Sequence, residues 1–390
     1  MEEMSGGARW MGVGRSSAAD ARGAGAEAAR RALVGADPKL LIVFAAVGYD
    51  PAALAEGVAG AAPGVPVVGC STNGEITPDG PGEGTVVVTA IGGSGLWVST
   101  AAEEGLMGRQ REAGAAVASA IEGVPDRPNK VLMLLTDGYT RSQENILRGV
   151  YGVVGAGVPL FGGAAAGRDG RTFQLHGSQV LGNGVVAAAI ASDGPLGIGV
   201  SHGFQTVGDA MVVTRSDQAR VYTLDREPAL DKYLHTLDAP PEVYHDPAAF
   251  SRWTLTRPLG VQRRSGVAAK NISHDVDFDG RTIGGGTEIV QGALLWATEG
   301  DAGSILDAVE VACEQAVAAL GDHPPVGLLT LSCMGCRAVL GTDGIAQEAV
   351  RIAGRAKGAP FAGFYTLGEI ARTRGVDGFH NQTLVVLALG

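Results

Sequence analysis

The sequence predicts an α/β fold: duplicated βαβ modules forming two related domains, with mixed, largely buried sheets and a shared cleft. Three observations carry that expectation. Continuous apolar runs alternate with helical stretches along the chain. A proline–glycine pattern recurs at Pro66, Pro159 and Pro360, each followed by Gly three and eight positions on. Glycine makes up 61 of the 390 residues, about twice the ordinary share of roughly 7%. It sits at the ends of apolar runs, where tight strand-to-loop turns use it.

In chain order, WMGVGRS reads as a short strand and residues 18–33 as an alanine-rich helix. LLIVFAAV is an unbroken apolar run, the mark of a strand buried on both faces. A helix through PAALAEGVAGA leads to the first glycine loop, PVVGCSTNGEIT (66–77). The same order starts again with LWVST, a helix over 108–122, the strand in KVLMLLTDGYT, a helix over 142–154, and PLFGGAAAG (159–167). A third pass is expected to begin near Ala293 with LLWAT. It continues through a helix over 304–320, the strand VGLLTLSC, a helix over 345–356, and PFAGFYTLG. Each loop is followed by a strand-like segment: TVVVTAIG, GVVAAAIAS and TLVVLALG. Such repeated modules imply right-handed crossovers. An insertion over about 217–292 separates the second and third passes. Residues 1–9 are expected to be disordered, 10–219 to form the first domain and 220–390 the second, with the boundary near Arg220.

A net charge of −11 argues against broad binding to nucleic acid or an anionic membrane. No apolar run approaches the roughly 18 residues of a membrane span, and the N-terminus lacks the apolar core of a signal peptide. The four cysteines, Cys70, Cys313, Cys333 and Cys336, suggest no disulfide framework, so a reducing cytoplasm is the expected compartment.

Ligands of α/β sheets favour loops beyond the carboxyl ends of strands, where the three glycine loops fall. A phosphate-binding P-loop would require Lys after the second glycine and a helix starting there. Glu75, Arg168 and Glu369 occupy that position instead. The dinucleotide fingerprint G-x-G-x-x-G between strand and helix is missing as well. The bland reading is that these glycines serve tight turns and close strand packing. The polar residues among them point further, to a small polar ligand. The candidate ligand-binding residues of the first loop are Gly69, Cys70, Ser71, Thr72, Gly74 and Glu75. Those of the second are Gly162, Gly163, Gly167 and Arg168, and those of the third Gly363, Tyr365, Thr366, Gly368 and Glu369. Asp137, Ser332, Cys333, Arg337, His380 and Asn381 join them from neighbouring strand ends. If the loops converge, Arg168 suits a carboxylate and Glu75 or Glu369 an ammonium, as in an amino acid.

VVGCSTNGEI after LLIVFAAVGYDP resembles the N-terminal domain of FIST proteins. LLTLSCMGCRAVLG, GAPFAGFYTLGEIA and FHNQTLVVLAL resemble their C-terminal domain, and EPALDKYLHTL its opening segment. The resemblance covers about residues 10 to 390 and implies a cytoplasmic sensory module for a small ligand, with amino acids among the suggested ligands. It also implies a separate signalling partner, such as a histidine kinase or a cyclic-di-nucleotide enzyme, because both FIST-like halves fill the chain. A nitric-oxide-sensing subset of the family, the NosP type, binds haem. On that alternative His380 is the candidate axial ligand to watch, with His176, His202 and His274 equally possible on composition. The bland reading makes His380 a hydrogen-bonded loop residue entering the last strand, and no cofactor is then expected. Covalent haem attachment is excluded by the lack of C-x-x-C-H.

Other chemistry is weighed against these. Cys333-Met-Gly-Cys336 lacks the second ligand pair of a zinc site. A redox role needs the motif at a helix N-terminus, whereas Arg337-Ala-Val-Leu-Gly reads as strand or loop. Glu75 and Glu369 could serve as the acid/base pair of a hydrolase, yet aromatics, the usual sugar platforms, are only 5%. The protein is therefore expected to bind rather than to catalyse.

Overall fold

A computed structural model describes residues 8–167, 170–263, 266–284, 288–373 and 378–390. Of the expected disordered N-terminus, residues 1–7 lie outside them. The first pass comprises β1 (Trp10–Ser16), α1 (Ala21–Ala32), β2 (Pro38–Ala46), α2 (Pro51–Ala61), β3 (Val67–Thr72), the hairpin β4 (Glu75–Thr77) and β5 (Gly80–Gly82), and β6 (Val86–Gly92). The second repeats it with β7 (Leu96–Glu104), α3 (Gln110–Ala118), β8 (Asn129–Asp137), α4 (Gln143–Val154), β9 (Leu160–Ala165), the hairpin β10 (Gln174–His176) and β11 (Gln179–Leu181), and β12 (Gly184–Ser192). Helix starts follow the sequence: Asp20 caps α1 through Gly23 N, and Asp50 caps α2 with Pro51 at its first position.

β13 (Leu196–Ser201) opens the third pass, and the inserted unit follows at once. That unit holds β14 (Gln205–Asp217), β15 (Arg220–Leu224), β16 (Glu227–Pro228), α5 (Ala229–Thr236), α6 (Pro247–Thr254), β17 (Leu259–Arg263), β18 (Gly266–Lys270), β19 (Val276–Asp277), β20 (Thr282–Gly284) and β21 (Leu294–Glu299). The third pass resumes with α7 (Ala302–Ala318), β22 (Gly327–Cys333), α8 (Met334–Arg355), β23 (Phe361–Thr366), the hairpin β24 (Glu369–Arg372) and β25 (Phe379–His380), and β26 (Leu384–Leu389). LLWAT therefore does not open this pass. It is β21, paired with β14 and β17 inside the insertion. The true opening strand, LGIGVS, is glycine-interrupted and half exposed, so it lacks the apolar run that marks its counterparts.

Three six-stranded sheets share one plan, in the orders β1-β6-β2-β3-β10-β11, β7-β12-β8-β9-β24-β25 and β13-β26-β22-β23-β4-β5. Each contains one parallel pair (β2 with β3, β8 with β9, β22 with β23) amid antiparallel neighbours. In each, the last two strands are a hairpin supplied by a different pass, so the two halves of the chain interlock.

Equivalent glycines explain how each parallel pair closes. Gly69 pairs with Val43, Gly162 with Leu134 and Gly363 with Thr330. A Cβ added at these glycines would stand 2.5, 1.9 and 1.6 Å from the paired residue's carbonyl oxygen. The repeated Pro-x-x-Gly is thus a requirement of strand approach.

One face of all three sheets meets in a common apolar core containing Phe44, Met133, Phe161, Leu331 and Phe364. The Phe44 and Phe364 rings lie 4.8 Å apart. The opposite faces are covered in turn by α1 and α2, by α3 and α4, and by α7 and α8. The insertion has its own core around Tyr233, Phe250 and Leu295. Among the described residues no helix is long and apolar enough to cross a membrane.

Candidate functional site

The three glycine loops meet. Ser71 Oγ donates to Ala166 O at 2.9 Å and accepts from Phe173 N at 3.1 Å, joining the first loop to the second. Ala164 N donates to Gly368 O at 2.8 Å and to Thr366 Oγ1 at 3.2 Å, joining the second to the third. Tyr365 N donates to Gly74 O at 3.0 Å, which closes the ring. Each loop carries the chain from its own sheet into the next one, so the loops have to converge.

Their side chains mostly satisfy one another. Glu75 is fully buried and accepts from the hydroxyls of Thr72 and Thr85. Burial raises its carboxyl to about 7, against those hydrogen bonds and the Arg15 charge. Asp137 caps its turn, accepting from Tyr139 N at 2.9 Å and Thr172 Oγ1 at 2.8 Å. Cys70 lies in the central core, and Tyr139 Oη donates to Gly167 O at 3.2 Å. Gly163, on β9, pairs with Glu369 on the neighbouring strand β24. Arg337 reaches from α8 to Asn73 O at 2.7 Å and to Glu83, with its guanidinium 5.2 Å from the Tyr365 ring centre. Tyr365 Oη donates to buried Glu348 at 2.7 Å, and Ser332 stands beside the same carboxyl. Thr383 Oγ1 donates to Asn381 O at 2.7 Å. Arg168 lies outside the described residues.

A cavity of about 380 Å³ opens beside this ring, a size that suits a small metabolite. Helix α4 supplies Glu144, Leu147 and Arg148; β13 and the residue after it supply Val200, Ser201 and His202. The insertion adds Arg263, Val267, Ala268 and Lys270, and the β24–β25 hairpin adds Arg372, Phe379 and His380. Both halves of the chain therefore line the cleft. Of the described residues expected to bind ligand, His380 alone borders it. Glu75 and Glu369 do not.

Among the described residues its lining carries four cationic side chains and one carboxylate. Lys270 is 2% exposed, and its Nζ donates to Phe379 O at 2.7 Å. Arg372 is also buried; one terminal nitrogen donates to Gly155 O and Val158 O, while Nη1 has no hydrogen-bond partner. Arg148 bridges to Glu288 at the rim. Burial raises the Glu144 carboxyl, opposed by Lys270, Arg148 and Arg263, and its Oε1 has no hydrogen-bond partner. Buried polar atoms of this kind call for a partner.

Sequence reasoning missed Glu144, Arg148, Arg263, Lys270 and Arg372. The one available signal was Arg372, a charge directly after the apolar end of LGEIA. Lys270 in GVAAK reads as an ordinary strand end. Both cavity histidines are hydrogen-bonded within the fold. His202 Nε2 is engaged with Val267 O at 2.7 Å and its Nδ1 accepts from Phe204 N, while His380 Nε2 is engaged with Ala371 O at 2.9 Å. His176 bonds Thr100 Oγ1, and His274 is exposed, away from the cavity.

Among known families, the FIST N domain matches residues 39–227 and the FIST C domain residues 229–372. No curated protein matches the chain. Of solved structures, a cyanuric acid hydrolase from A. caulinodans is similar at 13% identity and a TM-score of 0.29, over 49% of this chain and 72% of that one.

Proposed function

Because the chain belongs to the FIST family and carries its N and C domains in succession, we propose that it is a cytoplasmic sensor of a small zwitterionic metabolite, an amino acid foremost. FIST domains are sensory domains associated with signalling. The observation that carries the ligand class is the cavity, in which Arg148, Arg263, Lys270 and Arg372 stand with the carboxylate of Glu144. A ligand carboxylate suits the cationic wall and a ligand ammonium suits Glu144. Because the two halves of the chain share the lining, ligand closure would alter their contact, and a separate signalling protein would read that change. Binding is the better reading than turnover, since the loop glutamates are buried away from the cavity.

Titration calorimetry of the full chain against a panel of amino acids tests this. At least one amino acid is expected to bind the wild type. Hydrogen bonds to charged groups contribute about 1.5–3 kcal/mol, so Glu144→Gln and Lys270→Met are each expected to weaken that binding about tenfold or more. Failure of the wild type to bind any amino acid, or unchanged affinity in both variants, overturns the reading.

A further inference from the structure

Helix α8 starts directly after β22, and its first turn carries two thiols. This corrects the expectation of strand or loop after the C-x-x-C. Arg337, Ala338, Val339 and Leu340 are helical, and the φ of 61° at Gly341 kinks the helix beyond them. Cys333 is the N-cap, its sulfur accepting from Gly335 N at 3.4 Å. Cys336 lies three residues on, where side chains on a helix share a face with Cβ atoms about 5–6 Å apart. Small side-chain rotations bring such a pair to disulfide distance.

A third group faces them. Glu369 has no exposed surface; its Oε2 accepts from Thr383 N at 3.3 Å, and its Oε1 has no hydrogen-bond partner. The carboxyl adjoins the Cys333 sulfur. An unsatisfied buried carboxyl oxygen is costly, and nothing in the ligand cavity uses this one.

We infer that Cys333 and Cys336 form a redox-active dithiol, oxidised to a disulfide by a small hydroperoxide, with Glu369 giving its proton to the departing hydroxide. Access selects the oxidant class. The two cysteines are only 4% and 3% exposed, which shuts out the disulfide of a partner protein. A solvent-sized void of about 10 Å³ touches Cys336 and shares Ser201 and His202 with the wall of the large cavity.

The helix start favours a thiolate at Cys333. The hydrogen bond from Cys336, with the N–H groups of Gly335, Gln382 and Cys336, draws that thiol below its usual range, and burial opposes this. Cys336 is pushed up by donating that bond, then by burial and the neighbouring Cys333 charge. Burial, then the Cys333 charge, pushes the Glu369 carboxyl up, which favours its protonated form. Tyr365 and Arg337 complete the surroundings.

In the first step the Cys333 thiolate attacks one peroxide oxygen and the O–O bond breaks. The hydroxide leaves as water with the Glu369 proton, and Cys333 becomes a sulfenic acid. Cys336 then attacks the Cys333 sulfur, and the second hydroxide leaves as water with the Cys336 proton. Two thiols are oxidised by two electrons, and one peroxide is reduced to two waters.

The test exposes the reduced full-length protein to hydrogen peroxide, then maps its cysteines by mass spectrometry after quenching. The inference expects two of the four thiols to be lost first, as a Cys333–Cys336 disulfide. Cys336→Ser is expected to stop at a Cys333 sulfenic acid that dimedone captures. Glu369→Gln is expected to shift the pH profile of the oxidation rate, with a fall of about tenfold near pH 7. If Cys70 or Cys313 oxidises as early as the pair, the inference is overturned. It is also overturned if Cys333 stays reduced while the fold persists. Should a variant fail to fold, the order of oxidation in the wild type decides alone.

Discussion

Glu75 has no exposed surface, yet the repeat made it a leading candidate to meet ligand. Its role is set by Thr85, ten positions further on, whose hydroxyl closes the carboxyl off together with that of Thr72. The loop sequence alone could not reveal that. With a folded value of about 7, raised by burial, the protonated form is the one the fold favours. Its stability contribution is therefore full below the ordinary carboxyl value and is lost as pH rises through 7. The loss is on the order of 3 kcal/mol at most. Glu75→Gln, which carries no charge at any pH, is expected to gain stability relative to wild type between pH 5 and pH 8 in chemical denaturation. An offset that does not change with pH would show that Glu75 does not titrate in this way. Lys270 is the converse case. A lysine at a strand end normally reaches solvent, whereas Phe379, from more than a hundred positions away, packs over this one.

At the scale of elements, more was legible. The parallel strands, the helices between them and the three loops are visible as apolar runs, caps and glycines. The misreadings have local causes. LGIGVS hides a core strand behind two glycines. The kink at Gly341 made the first turns of α8 look non-helical. The glycines themselves split into classes that sequence cannot separate. A Cβ at Gly363 would lie 1.6 Å from Thr330 O, whereas one at exposed Gly354 in α8 meets nothing within 4 Å. Gly363→Ala is accordingly expected to destabilise the protein by about 3 kcal/mol or more. Gly354→Ala is expected to be neutral or to stabilise by about 0.5–1 kcal/mol. Thermal melts of the two variants decide. Equal shifts would contradict the account of Pro-x-x-Gly as a strand-approach motif.

Across the whole molecule, convergence of the three loops was the inference the sequence supported best, and their mutual hydrogen bonds bear it out. What the sequence did not convey is that convergence fills the centre. Three sheets exchanging hairpins put Phe44, Phe161 and Phe364 on a common interior, which leaves the room for a guest at the side. There α4, the insertion and the β24–β25 hairpin meet around about 380 Å³. Placing that cavity needed the insertion's position, because Arg263 and Lys270 come from it. Native mass spectrometry of the full chain tests the site most directly, first as freshly purified and then after addition of mixed amino acids. The account predicts a small-molecule adduct on the wild type that is lost in the double variant Glu144→Gln, Lys270→Met. An adduct that survives in the double variant, or none on the wild type under either condition, would contradict it.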